Sequence, residues 1–118
     1  MRGKQYLKEP EQYAAVYNKG ASWVDRNIVM KSLPNGLGYT RYGFSVSSRV
    51  GGAVVRNRVK RRLREIFHAA SIEPGWDIVV IARPVTAAAD FSVLSNAVSQ
   101  LLIKAKLIKP EVSPPLTK

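Results

Sequence analysis

The stretch AVVRNRVKRRLREIF, which runs from Ala53 to Phe67, has the pattern of a helix with two unlike faces. At about 100° per residue, its apolar side chains gather in an arc of roughly 120°. This apolar arc consists of Val55, Val59, Leu63, Ile66, Phe67 and Ala70. The remaining surface is a basic ridge that consists of Asn57, Arg58, Lys60, Arg61, Arg62 and Arg64, with Arg56 near the edge of the arc in the first turn. The pattern predicts a helix that packs against a sheet on one side and exposes the ridge on the other.

Basic charge is concentrated in this part of the chain. The sequence has 118 residues and a net charge of +11, and residues 41–70 carry eight basic side chains against one acidic side chain. A solvated helix face normally mixes the two signs, with Glu four residues before Lys or Arg, and this face has almost no such pair. The planar guanidinium of arginine suits bidentate contacts with phosphate. The charge pattern therefore favours a polyanionic partner, and nucleic acid above all.

Two other uses of a basic amphipathic helix fit less well. A helix that lies on a membrane needs its apolar face free for lipid, whereas the predicted strand WDIVVIA (residues 76–82) offers a sheet for that face to cover. A recognition helix for the major groove of DNA usually follows another helix, whereas this one follows a strand. We therefore expect no membrane and no DNA as partners, and partly single-stranded RNA as the ligand. Tyr13 and Tyr17 could stack on unpaired bases or belong to the core, and the sequence leaves both roles open.

The rest of the chain fits one small domain of the α+β class. Residues 1–107 are expected to form a single RNA-binding domain, and the proline-rich segment 108–118 is expected to be disordered. The chain has no cysteine, and its N-terminus lacks the apolar core of a signal peptide, so the expected compartment is the cytoplasm. Helical patterns cover residues 10–19 and 90–106, and strand patterns cover residues 21–24, 27–33, 39–47 and 76–82.

Catalysis by the protein itself is not expected. The eight acidic residues are scattered along the sequence, and His68 is the sole histidine. A two-metal nuclease needs several carboxylates that converge on one site, and a catalytic triad needs a base with an orienting partner. The sequence has neither pattern. We therefore predict no catalytic residue, no metal site and no cofactor bound by the protein alone.

The segment YGFSVSSRVGGAVVRNRVKRRLREIF, residues 42–67, resembles the protein subunit of bacterial ribonuclease P. The similarity lies in a strand G-F-S-V-S, a bend with a basic residue and glycine, and a helix that opens R-N-R-x-K-R-x-x-R. Residues 11–20 and 77–84 resemble two further segments of the family. The resemblance implies the element order αβββαβα around one sheet. It also implies that the basic helix forms a left-handed βαβ crossover, in a ribosomal protein S5 domain 2-like fold.

The same resemblance implies a function. Ribonuclease P removes the 5′ leader of precursor tRNA; its catalytic subunit is an RNA, and the RNA–protein holoenzyme requires Mg²⁺. The protein subunit binds the catalytic RNA and the single-stranded leader. The RNA-binding positions carried over to this chain are Arg49, Arg56, Asn57, Arg58, Lys60, Arg61, Arg62 and Arg64. The positions carried over to the leader-binding cleft are Tyr13, Tyr17, Lys31, Phe44, Lys60 and Arg64.

Three positions depart from the family pattern. Lys31 stands where relatives often have an aromatic residue, Ser48 where a lysine is usual, and Tyr6 where an arginine is usual. The departure at Lys31 implies a phosphate contact in place of a stacking contact. The alternative class of function is a small ribosomal or RNA-chaperone protein, which would bind RNA without any role in tRNA processing.

Overall fold

Residues 6–108, which the computed structural model describes, form one mixed sheet with helices against both of its faces. Along the chain the elements are α1 (Pro10–Lys19), β1 (Ala21–Val24), β2 (Ile28–Pro34), β3 (Arg41–Ser45), α2 (Ala53–Ala69), β4 (Trp76–Ala82), a 3-10 helix (Pro84–Ala88) and α3 (Phe91–Lys104). The predicted α+β class and the order αβββαβα are therefore confirmed.

The four strands lie side by side in the order β1-β2-β4-β3. β2 pairs antiparallel with both β1 and β4, whereas β3 pairs parallel with β4. Neighbouring parallel strands need a crossover connection between them, and α2 supplies it. The basic helix is thus tied at both of its ends to strands of the sheet.

Alternation along β4 divides the sheet into two faces. Ile78, Val80 and Ala82 belong to the main core beneath α2 and α3. Val79 and Ile81 point the other way and pack with Val16 and Leu7, on the side of α1. A strand that is covered on both faces reads as a nearly continuous apolar run, and this accounts for the sequence WDIVVIA.

The apolar arc of α2 packs on the sheet as predicted. Its buried members are Val59, Leu63, Ile66 and Phe67, and its margins are Val55 and Ala70, which pack against the same core. The ring of Phe67 contacts two rings of β3, with centroid distances of 5.5 Å to Tyr42 and 5.6 Å to Phe44. The flank of α2 that carries Phe67 therefore faces β3.

Helix α1 has the predicted start and stop. It begins at Pro10, and the side-chain oxygen of Gln12 accepts hydrogen bonds from the backbone N–H groups of Lys8 and Glu9 (2.9 and 3.0 Å). It ends before Gly20, where the chain turns at once into β1. A Cβ atom at this position would lie 2.6 Å from the carbonyl oxygen of Val16, so the tight turn requires glycine.

The structure differs from the sequence pattern at β3 and after β4. The pattern predicted a strand over residues 39–47, but β3 spans only Arg41–Ser45. The hydroxyl of Thr40 donates to the carbonyl of Glu73 (2.6 Å) and accepts from the N–H of Trp76 (3.2 Å), so side-chain bonds hold this end of the strand. The 3-10 helix was not predicted. It begins at Pro84, and the hydroxyl of Thr86 donates back to the carbonyl of Arg83 (2.8 Å).

The last described residues pack onto the body of the domain. Leu107 is buried, and Ile108, the first residue of the predicted tail, packs against the core. The rest of the predicted tail, residues 109–118, lies outside the described residues. Between residues 6 and 108, no helix combines the length and the apolar character that a bilayer span requires.

Candidate nucleic-acid interface

The two tyrosines of α1 have different environments. The ring of Tyr13 lies against β3 at Gly43, where a Cβ atom would be 2.6 Å from both Cε1 and the hydroxyl oxygen of the tyrosine. Burial, with a smaller contribution from Tyr17, raises the pKa of Tyr13 above its ordinary value. Tyr17 follows one turn later and is 41% exposed. Tyr13 is therefore partly a packing residue, whereas the ring of Tyr17 is accessible to a ligand.

Lys31 lies on the same side of the sheet as these tyrosines. In the strand register it pairs with Ser22 of β1 and Val79 of β4, and Val79 packs beneath α1. Its Nζ donates to the hydroxyl oxygen of Ser22 at 3.4 Å. We call the surface formed by Tyr13, Tyr17 and Lys31 the α1 face. It combines accessible aromatic area with one cation, which suits a single strand of nucleic acid.

Phe44 is not part of this surface. Its ring points to the opposite face of the sheet, where it contacts Phe67 and lies 6.3 Å, centroid to centroid, from Tyr6. Lys60 and Arg64 occupy the helical positions seven and three residues before Phe67, so they lie along the same flank of α2. The six residues assigned to the leader cleft thus form two groups, and the edge strand β3 separates them.

The basic ridge of α2 also divides, into exposed and half-buried side chains. The exposed members are Asn57, Arg61 and Arg64, and the half-buried members are Arg56, Arg58, Lys60 and Arg62. In the described part of the chain, the salt bridge between Arg41 and Asp77 is the only ion pair. No acid of residues 6–108 therefore pairs with a cation of α2, and the positive potential of the ridge can act on an external anion.

Arg58 and Arg62 do not point into solvent as the helical projection predicted. The Nη2 of Arg58 donates to the carbonyl oxygen of Ala87 (2.9 Å), and the Nη1 of Arg62 donates to the carbonyl oxygen of Ala89 (2.9 Å). Both carbonyls belong to the connection between β4 and α3. A helical projection of α2 does not include the 3-10 helix, which lies beside the flank that carries Arg58 and Arg62. The projection therefore predicted that this flank faces solvent.

Arg49 stands in the bend between β3 and α2. Its side chain is exposed, and its backbone N–H donates to the hydroxyl of Ser47 (3.3 Å). Ser48, one of the three departures from the family pattern, is exposed beside it. Arg49 therefore adds an exposed cation just before the first turn of α2.

Arg41, one of the eight basic side chains in residues 41–70, stabilises the fold through an ion pair. Arg41 binds Asp77 with two hydrogen bonds, from Nε (2.8 Å) and Nη2 (2.7 Å), and Asp77 also accepts from the side-chain amide of Asn35 (2.9 Å). The bonds to Asp77 raise the pKa of Arg41. Parallel pairing places these two residues in register. The pairing of β3 with β4 was not predictable from residue types alone, so this contact was not predictable either.

The described side chains offer positive charge and aromatic surface rather than a set of metal ligands. Within residues 6–108, no three His, Cys, Asp or Glu side chains lie close enough together to hold a metal ion. The guanidinium and ammonium groups suit phosphates, and the exposed ring of Tyr17 suits a base. This arrangement can bind RNA over two surfaces, the basic ridge and the α1 face.

The chain is similar, in sequence and in fold, to known proteins of one family. A family model described as Ribonuclease P matches residues 1–106. The ribonuclease P protein component of Dehalococcoides mccartyi is 41% identical over 108 residues, which are 92% of this chain and 90% of the relative. That of Caldanaerobacter subterraneus subsp. tengcongensis is 43% identical over 103 residues, 86% of this chain and 89% of the relative. Among solved structures, the RNase P protein of Staphylococcus aureus has a TM-score of 0.81 at 32% identity, covering 89% of this chain and 98% of the other. The RNase P protein of Thermotoga maritima has a TM-score of 0.78 at 30% identity, with coverage of 86% and 97%.

Proposed function

The chain belongs to the ribonuclease P protein family, and we propose that it binds two RNAs, the catalytic RNA of ribonuclease P and the 5′ leader of precursor tRNA. In this proposal the RNA subunit hydrolyses the phosphodiester with Mg²⁺, and the protein contributes binding. The proposed place of action is the cytoplasm, because bacterial precursor tRNA is made there.

The observation that carries the proposal is the unpaired charge of α2. Asn57, Arg61 and Arg64 are exposed on one helix, and no acid of the described chain neutralises its cations. Each arginine that binds a phosphate releases condensed counterions, so a ridge of this kind gives strong, salt-dependent affinity for folded RNA. We assign the ridge to the catalytic RNA.

The α1 face supports the proposed contact with the leader. Tyr17 is accessible for stacking, and Lys31 lies on the same side of the sheet. A single-stranded leader can stack a base on the ring and place a phosphate near the ammonium group. Phe44, Lys60 and Arg64 lie on the other side of β3, so we assign them to a separate part of the RNA-contacting surface.

Reconstitution tests this proposal. The protein is added to a transcribed bacterial ribonuclease P RNA and precursor tRNA, at a magnesium concentration too low for the RNA to act efficiently alone. The basic side chains of the protein replace part of the counterion atmosphere that two RNAs need in order to associate. The protein should therefore restore cleavage of the leader. Protein without the RNA should cleave nothing at any magnesium concentration.

A matched pair of variants controls this experiment. The double variant Arg61→Ala, Arg64→Ala removes two exposed charges of α2 and should restore cleavage poorly. The double variant Arg26→Ala, Lys104→Ala removes two exposed charges that lie outside α2 and should behave like the unmodified protein. Failure of the folded, unmodified protein to restore cleavage would contradict the proposal, and it is the result expected of a general RNA-binding or RNA-chaperone protein.

A further inference from the structure

Two arginines of the basic ridge have intramolecular partners. Arg58 and Arg62 lie one turn apart on the flank of α2 that faces the 3-10 helix, and each donates to a carbonyl of the β4–α3 connection. Arg61 lies between them in sequence but projects outward and is exposed. Arg58 and Arg62 therefore have surroundings different from those of Arg61.

The carbonyls that they bind are groups that a short helix leaves without partners. The last carbonyls of any helix have no donor within it, and Ala87 and Ala89 lie at the end of Pro84–Ala88 and just beyond it. A guanidinium donor satisfies such a carbonyl and also interacts favourably with the negative end of the helix. Arg58 and Arg62 thus have the geometry of capping residues that act across two elements.

Burial limits what else Arg58 can contact. Its Nε has almost no accessible surface and no hydrogen-bond partner, while its Nη2 is already bonded to Ala87. A bidentate contact through the Nε–Nη2 edge of the guanidinium is therefore closed to a phosphate. The same edge of an exposed arginine such as Arg61 can approach RNA freely.

We propose that Arg58 and Arg62 are an intramolecular clamp that fixes the β4–α3 connection to α2, and that they do not contact the catalytic RNA. The part of α2 that contacts this RNA is then the narrower strip that contains Asn57, Arg61 and Arg64. This inference rests on the proposed function, because it specifies which side chains of the same helix bind the RNA.

Three substitutions with equal loss of charge test the clamp: Arg58→Gln, Arg62→Gln and, as the matched control, Arg61→Gln. The first measurement is the affinity of each folded protein for a transcribed bacterial ribonuclease P RNA over a range of salt concentrations. Loss of one phosphate contact lowers the log–log salt slope by about 0.7–0.9. We expect this decrease for Arg61→Gln and an unchanged slope for Arg58→Gln and Arg62→Gln.

The second measurement is amide hydrogen exchange in the free proteins. The N–H groups of Thr86 and Ala89 are hydrogen-bonded within the connection, and they should exchange roughly tenfold to a hundredfold faster when a charged hydrogen bond to it is lost. Val79 and Val80 of β4 serve as reference amides, because a general loss of stability would accelerate them as well. Arg61→Gln should leave the exchange of all four amides unchanged.

If Arg58→Gln does not fold, Arg62→Gln and the conservative Arg58→Lys carry the test. A fall in salt slope for Arg58→Gln and Arg62→Gln that equals the fall for Arg61→Gln would overturn the clamp. So would unchanged exchange of Thr86 and Ala89. If the unmodified protein shows no salt-dependent binding to the RNA, the proposed function fails instead, whereas the exchange data still decide whether the clamp exists.

Discussion

The ring of Tyr13 occupies the space that a side chain at Gly43 would fill: a Cβ atom there would lie 2.6–2.7 Å from three atoms of the tyrosine. Helix α1 can therefore approach β3 closely, because Gly43 has no side chain. The contact joins the first helix to the edge strand that leads into α2. It also orients the helix that carries Tyr17, so it links the fold to the α1 face.

Gly43→Ala should destabilise the protein by about 1–3 kcal/mol, because added volume in a close-packed contact forces the neighbours to move. Denaturant unfolding measures this loss. Gly38→Ala is the control, since a Cβ atom at Gly38 meets nothing within 4 Å. In the background of Tyr13→Ala, which vacates the space, the cost of Gly43→Ala should largely disappear. Additive effects of the two substitutions would show that the contact is not the cause.

Asp77→Asn should lower the free energy of unfolding by about 2–3 kcal/mol, since it leaves the charge of Arg41 without its partner. The loss is moderated because the Arg41 side chain is 22% exposed, whereas that of Asp77 is 7% exposed. The salt slope of RNA binding should not change, because the pair lies within the fold. Unchanged stability together with weaker RNA binding would instead assign Arg41 to the interface.

Alkaline pH should destabilise the protein through two tyrosines. Burial raises the pKa of Tyr13 and of Tyr42 above the ordinary value of 10.0, with smaller contributions from Tyr17 and Tyr6 respectively. The unfolded chain then releases these protons at lower pH than the folded protein does. Their contribution is therefore fully present below pH 10 and is lost as the pH rises from there through the folded-state values.

The double variant Tyr13→Phe, Tyr42→Phe tests this dependence, because it keeps both rings and removes both titrating hydroxyls. Its free energy of unfolding should fall less steeply than that of the unmodified protein above about pH 10. Tyr39→Phe, at an exposed position in the loop between β2 and β3, controls for loss of a hydroxyl elsewhere. Parallel curves for the double variant and the unmodified protein would contradict the assignment.

The elements that local pattern specifies were predictable from the sequence. Helix α1 begins at Pro10 and ends before Gly20, as these two residues predict. The run WDIVVIA is a strand buried on both faces, and the apolar arc of α2 is the surface that packs on the core. These features depend on near neighbours in the chain, so period and turn chemistry are enough to find them.

The features that depend on distant parts of the chain were not predictable. A helical projection of α2 contains no information about the 3-10 helix, and for this reason its prediction that Arg58 and Arg62 point into solvent is wrong. The side of the sheet to which Phe44 points follows from strand register, and a shift of one residue would reverse it. The pairing of Arg41 with Asp77 has the same origin. The residue types alone thus indicated which residues belong to the candidate site. The fold was needed to show that these residues lie on separate surfaces.

The proposed leader contact depends most on Tyr17. Its ring is exposed beside Tyr13, so Tyr17→Ala should change the melting temperature little, in contrast to the truncation of a core aromatic residue, which costs about 3–5 kcal/mol. Tyr17→Phe, which keeps the ring, should behave like the unmodified protein. Tyr39→Ala, which removes a similarly exposed ring from the loop between β2 and β3, is the control.

The most direct test of the account is the affinity of the reconstituted RNA–protein complex for precursor tRNA and for mature tRNA, measured with the unmodified protein and with Tyr17→Ala. Stacking of one base on an aromatic ring contributes about 1–3 kcal/mol, and only the precursor has a leader to stack. We expect Tyr17→Ala to reduce the preference for precursor over mature tRNA by roughly fivefold to a hundredfold and to leave the affinity for mature tRNA unchanged. An equal loss of affinity for both tRNAs, or no loss for either, would contradict it.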